Sequence, residues 1–175
     1  FEIACIGPAG ENGAAFACIG HDFGRQAGRC GIGAVMGSKK IKAIVIDATQ
    51  GEKPPIADLP AFRKAQKEFN KALMDQPQTT VYAEYGTAAM TRMCNSFGAL
   101  PTRNFSSGQL EGAVKISGEH MRQLLLDRGG ASDPTHACML GCTIRCSNTF
   151  GGDDGKAIVS PLEYETIGLM GSNLG

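Results

Sequence analysis

No run of apolar residues in this 175-residue sequence approaches the roughly 18–20 needed to cross a bilayer, and no secretory signal pattern is present. A membrane-spanning helix is therefore not expected. The formal net charge is +0, and Lys and Arg are scattered rather than clustered, which removes the electrostatic case for nucleic acid or an anionic membrane as partner. Trp is absent. There is no internal repeat and no low-complexity segment, while 42% hydrophobic content is compatible with a packed core.

What the chain does have is glycine and cysteine, 24 and 7 residues respectively. Much of the glycine falls in the first forty residues and around a cysteine cluster, where backbone must approach something closely. Seven cysteines without a secretory signal argue against a disulfide framework and for metal ligation or reduced thiols, hence a cytoplasmic location. The sequence starts inside a strand-like run, Phe1-Glu2-Ile3-Ala4-Cys5-Ile6, and stops at Gly175, so it reads as an internal piece of a longer protein.

The first part predicts strands and glycine-rich loop: a strand over 1–6, a short helix or buried segment from Gly13 to Ile19, a glycine-rich loop from Gly24 to Gly37, and a strand over 41–46. This part is expected to belong to a larger sheet, leaving Ile3, Cys5, Ile44 and Ile46 partly open. Gly51-Glu52-Lys53-Pro54-Pro55 reads as a linker, with the domain boundary at residue 50. Beyond it the pattern predicts helices over Leu59–Met74, Ala83–Cys94 and Glu119–Arg128, the last capped by Ser117 or Gly118 and stopped by Gly129-Gly130. The fold class expected is α+β, with residues 1–50 strand-rich and 51–175 mainly helical.

Cys138, Cys142 and Cys146 form C-x3-C-x3-C. Closely spaced thiolates can wrap one face of an iron–sulfur cubane, because each iron takes one soft, charged sulfur ligand. Zinc is the rival, although zinc sites usually pair two close cysteines with two more ligands after a gap. Buried inert thiols are the third reading. Cys5, Cys18 and Cys94 read as core or helix residues, and Cys30 falls inside the glycine-rich stretch. Arg25, Gly28 and Arg29 open a run, Gly28-Arg29-Cys30-Gly31-Ile32-Gly33-Ala34-Val35-Met36-Gly37, that matches neither the P-loop nor the dinucleotide fingerprint. It suits an anion-cradling loop with arginine donors, and equally a run of glycines for tight helix packing.

Taken together, these segments resemble the aldehyde:ferredoxin oxidoreductase family. The resemblance is carried by Ile6-Gly7-Pro8-Ala9-Gly10-Glu11-Asn12, then Arg25 through Lys42, then Leu100-Pro101-Thr102-Arg103-Asn104-Phe105, the cysteine cluster, and Leu162-Glu163-Tyr164-Glu165-Thr166. It covers essentially the whole chain. It departs from the family's aldehyde-oxidising members in having three residues, not two, between Cys138 and Cys142, which marks a divergent subgroup, and in Cys30 where glycine is usual, which bears on the backbone geometry of the loop. The C-x3-C-x2-C of radical S-adenosylmethionine enzymes is a lesser likeness, since here the last gap is three residues and the motif follows a helical stretch.

The resemblance implies a β-rich base for a tungsten or molybdenum bis-molybdopterin, ending near residue 50, followed by the start of a helical domain bearing a 4Fe–4S cluster. It implies that Arg25, Ala27, Gly28 and Arg29 touch the pterin phosphates or their bridging magnesium. Cys138, Cys142 and Cys146 match three cluster ligands, with the fourth beyond Gly175. Glu165 matches a carboxylate beside the metal, acting as general base, with Glu163 as the second choice. The implied activity is oxidation of an aldehyde to a carboxylic acid, with electrons passed to ferredoxin or a ferredoxin-like subunit, in a homo- or hetero-oligomer. A low-potential reductase of an aromatic acyl-CoA in the same family, and an electron-transfer module without chemistry of its own, are the alternatives.

Overall fold

The computed structural model describes residues 1–21 and 24–175, which divide into two compact units at Ala57/Asp58. In the first unit, β1 (Glu2–Cys5) is flanked by β2 (Ile19–His21) and β4 (Ala43–Ile46), and β3 (Arg25–Ala27) completes an antiparallel sheet of order β3-β2-β1-β4. β1 and β4 pair from Glu2↔Ile46 to Cys5↔Ala43. Ile3, Ile44 and Ile46 are 47%, 52% and 57% exposed, and Cys5 is exposed as well, so the surface expected to stay open does so.

Two short helices, α1 (Pro8–Glu11) and α2 (Ile32–Ser38), pack together across glycine. A Cβ on Gly37 would come within 2.0 Å of the Gly10 carbonyl oxygen, and one on Gly33 within 2.4 Å of the Cys18 carbonyl oxygen. Of the two readings of the glycine run, helix packing therefore accounts for Gly33 and Gly37. The loop expected up to Gly37 ends at Gly31; over 13–19, expected to be a short helix or a buried segment, there is no helix, Ala17 is buried, and the short helix lies earlier, at α1, where Pro8 favours a first turn.

In the second unit α3 (Leu59–Met74) has the predicted bounds, started by Asp58, whose carboxylate accepts from the Ala61 N–H at 2.9 Å. The helix expected over Ala83–Cys94 is broken. α4 (Pro77–Tyr85) stops at Gly86, whose φ of 65° and ψ of −168° belong to a region that is essentially glycine-only. A single 3₁₀ turn (Thr87–Ala89) then leads into α5 (Met90–Ser96). α6 (Gly118–Arg128) is capped by Ser117, whose hydroxyl accepts from the His120 N–H.

A three-stranded antiparallel sheet, β5 (Asp133–His136), β6 (Ser147–Gly151) and β7 (Ala157–Val159), stands inside the part expected to be mainly helical. β5 and β6 are short and mostly polar, Ser147-Asn148-Thr149 among them, so no apolar alternation announces them, and β7 is apolar but only three residues long. α7 (Tyr164–Thr166) runs into a π-helical turn over Ile167–Ser172. Ala88, Met121, Leu125 and Ile167 form the core, with Ile116, Phe150 and Leu162 packed against it. The α+β class holds. Among the described residues no helix is long and apolar enough to cross a membrane.

Candidate cofactor and metal-binding site

The candidate residues fall on both units. In the first, Arg25 and Ala27 are half-buried on β3 while Gln26 between them is exposed, the alternation a strand imposes. Gly28 and Arg29 follow in the exposed turn toward α2. Cys30 and Gly31 both have a φ of 63°, and a Cβ on Gly31 would lie 2.1 Å from the Ala15 carbonyl oxygen. Gly28 differs: nothing lies within 4 Å of a Cβ placed there. β3 and the turn after it thus carry two arginines, Arg25 and Arg29, and backbone that is open at Gly28, the donor chemistry a phosphate group takes.

In the second unit the three cysteines share the loop of residues 137–146, which joins β5 to β6. The loop was expected after a helix; it follows a strand instead, and the His136↔Ser147 pair closes its base. Thr143 Oγ1 donates to Asn70 Oδ1 at 3.2 Å, tying the loop to α3. Cys138 is exposed, whereas Cys142 and Cys146 are half-buried, and all seven cysteines of the chain are free thiols.

Burial pushes the Cys146 thiol above its ordinary value, and the charges of Glu163, Cys138 and Cys142 push the same way, against a backbone hydrogen bond. Cys138 and Cys142 therefore lie within electrostatic reach of Cys146. Among the described residues no group of three or more His, Cys, Asp or Glu is arranged to hold one metal ion. A cubane is larger than an ion and spreads its ligands more widely. Gathered thiolates repel one another, and a cationic iron–sulfur core offsets that repulsion. The donor set fits such a core.

Glu163 and Glu165 stand in different surroundings. Glu165 is exposed on α7. Glu163 is half-buried just before it, and its carboxylate accepts from the Thr87 hydroxyl, whose oxygen in turn accepts from the Tyr164 N–H at 2.9 Å. Burial raises the Tyr164 phenol to about 12, helped by a hydrogen bond with Cys94 and by the charges of Cys94 and Glu165.

Sequence reasoning missed Asn148. It is fully buried; its Nδ2 donates to the Leu162 carbonyl at 2.7 Å and its Oδ1 accepts from the Leu162 N–H at 2.9 Å. A polar residue two positions after the last cysteine was the signal available. An apolar cavity of about 340 Å³ adjoins this region, lined by Met121, Phe150, Leu162, Thr166 and Met170 among others.

Residues 1–48 match the N-terminal domain of aldehyde ferredoxin oxidoreductase, and residues 64–175 match its domains 2 and 3. The class these matches define is a multidomain oxidoreductase. The chain belongs to the aldehyde ferredoxin oxidoreductase family. It is 42% identical, over 99% of its length, to the tungsten-containing aldehyde ferredoxin oxidoreductase of Thermococcus kodakarensis, and 39% identical over the same share to that of Pyrococcus furiosus. It is also 29% identical, over 97% of its length, to the WOR-like subunit of an aliphatic sulfonate oxidoreductase of Pyrococcus furiosus. The chain spans 27% of the first two relatives and 26% of the third.

Proposed function

We propose that the chain is part of a tungsten- or molybdenum-pterin enzyme that oxidises an aldehyde to a carboxylic acid and passes the electrons through a 4Fe–4S cluster to ferredoxin in the cytoplasm. The observation that carries the reading is the identity of 42% with a tungsten-containing aldehyde ferredoxin oxidoreductase, over a stretch that includes the cysteine loop. The reaction balances as aldehyde plus water giving acid, two electrons and two protons. A tungsten- or molybdenum-pterin, when bound, supplies the two-electron chemistry, and a cluster passes electrons one at a time.

The chain's own residues have distinct tasks in this proposal. Arg25 and Arg29 hold the pterin phosphates with paired N–H donors, while the backbone at Ala27 and Gly28 approaches the phosphates and their magnesium. Cys138, Cys142 and Cys146 ligate three irons. Glu165 accepts the proton released as water adds to the aldehyde carbonyl. Its place in the Tyr164-Glu165-Thr166 stretch that carries the family resemblance, together with its exposure, supports that role.

Metal analysis of the full-length protein, with aldehyde-dependent reduction of ferredoxin, tests the proposal. Iron together with tungsten or molybdenum, and turnover with an aldehyde, is the expected result. Iron with neither heavy metal would refute it in favour of an electron-transfer module.

A further inference from the structure

Gly86 and Thr87 are neighbours at the end of α4; Gly86 meets the main chain of Cys146, and Thr87 meets Glu163 and Tyr164. A Cβ on Gly86 would lie 2.9 Å from the Cys146 carbonyl oxygen, so the main chain of Cys146 runs directly against Gly86. Thr87 donates to the Glu163 carboxylate and accepts from the Tyr164 N–H. From the other side, Asn148 clamps Leu162, the residue before Glu163, through both ends of its amide. Glu163 is thereby held by its side chain and through its adjoining main chain, in the same small region as Cys146.

We propose that Glu163 is a positioning residue of the iron–sulfur site, a carboxylate fixed beside Cys146 that holds the cluster's reduction potential low. The proposal rests on the cluster assignment made above. Reduction adds one electron to a group whose ligand sulfurs are already anionic, and a fixed negative charge nearby disfavours it. Net charge, hydrogen bonding and exposure are the levers a protein has over such a potential. Glu163 supplies charge, and Thr87 supplies the tether that keeps it from turning to solvent. A low potential favours onward transfer of each electron to a one-electron acceptor.

The test is a potentiometric titration of the full-length, cofactor-loaded protein, followed by electron paramagnetic resonance of the reduced cluster. Glu163→Gln should raise the reduced-to-oxidised ratio at fixed potential roughly tenfold, which is about 59 mV for one electron. Glu163→Asp keeps the charge and should restore most of the parent potential; an Asp variant shifted as far as Gln overturns the proposal, because the effect would then be structural. If Glu163→Gln fails to hold iron, Thr87→Val decides: a freed carboxylate should move the potential upward, and an unchanged potential overturns the proposal. A parent protein without a cluster signal overturns the cluster assignment and this proposal with it. A parent with the signal, and a Gln variant at the same potential, overturns this proposal alone.

Discussion

Replacing Asn148 with alanine should release the segment that leads into α7. The side chain makes hydrogen bonds of 2.7 and 2.9 Å to the carbonyl and N–H of the same residue, Leu162. Losing it removes both bonds and leaves both Leu162 groups without those partners. Unsatisfied buried groups cost about 1–3 kcal/mol each. Leu162 is only half-buried, so water takes up part of that cost, and the expected local loss is about 2–3 kcal/mol. Hydrogen–deuterium exchange of the full-length protein reads this directly. If exchange follows the local opening equilibrium, peptides covering residues 160–164 should exchange roughly 30- to 150-fold faster, while α3 stays unchanged. Asn148→Asp keeps an acceptor for the Leu162 N–H but has no donor for its carbonyl, and should remain accelerated. An alanine variant that exchanges within about threefold of the parent would show that the clamp does not hold the segment.

Glu165→Gln in the full-length enzyme should keep metal, pterin and cluster content while lowering turnover roughly 10²–10⁴-fold, the loss expected of a general base. Glu163→Gln should lower turnover less; if it is instead the inactive variant, the proton acceptor is Glu163. In the first unit, Gly37→Ala drives a methyl group to 2.0 Å from the Gly10 carbonyl oxygen and should lower the melting temperature, at a cost of about 1–3 kcal/mol or more. Gly28→Ala, with nothing within 4 Å of the added methyl, should leave the melting temperature unchanged, and equal melting of the two variants would refute the packing argument. Tyr164 ionises at about 12 when folded against an ordinary value of 10.0, so the folded state retains a proton the unfolded chain gives up. Its contribution to stability is fully present below about pH 10 and declines as pH rises through the folded pKa. An alkaline absorbance titration of Tyr164→Phe should show one late phenolate step fewer than the parent, and identical late titration of the two would contradict the assignment.

The bounds of α3 were legible because an amphipathic run begins at an acidic cap and Pro60 and ends at Met74. α6 was legible for a similar reason, between Ser117 and Gly129. The break at Gly86 was not, because a glycine in a helical pattern does not disclose a backbone at φ 65° and ψ −168°. β5 and β6 were hidden by polar composition: Asn148 is buried through hydrogen bonds rather than apolar contact. At the candidate site, the cysteine spacing drew attention to the loop of residues 137–146, whose base the His136↔Ser147 pair closes. Thr87 could not be foreseen, because its hydrogen bond to Glu163 spans 76 residues of sequence and local patterns carry no such information.

That difference in span has a consequence for assembly. The loop of residues 137–146 is closed by a neighbouring strand pair, whereas Glu163 meets Thr87 only after a long stretch of chain has been brought round. Closing the longer loop costs about 2 kcal/mol more entropy than closing the shorter one. Loop entropy alone therefore favours closing the cysteine loop before Glu163 meets Thr87. On the proposed cluster assignment, a chain caught between those stages would take up iron with Glu163 still loose, giving a cluster tuned differently from that of the finished protein.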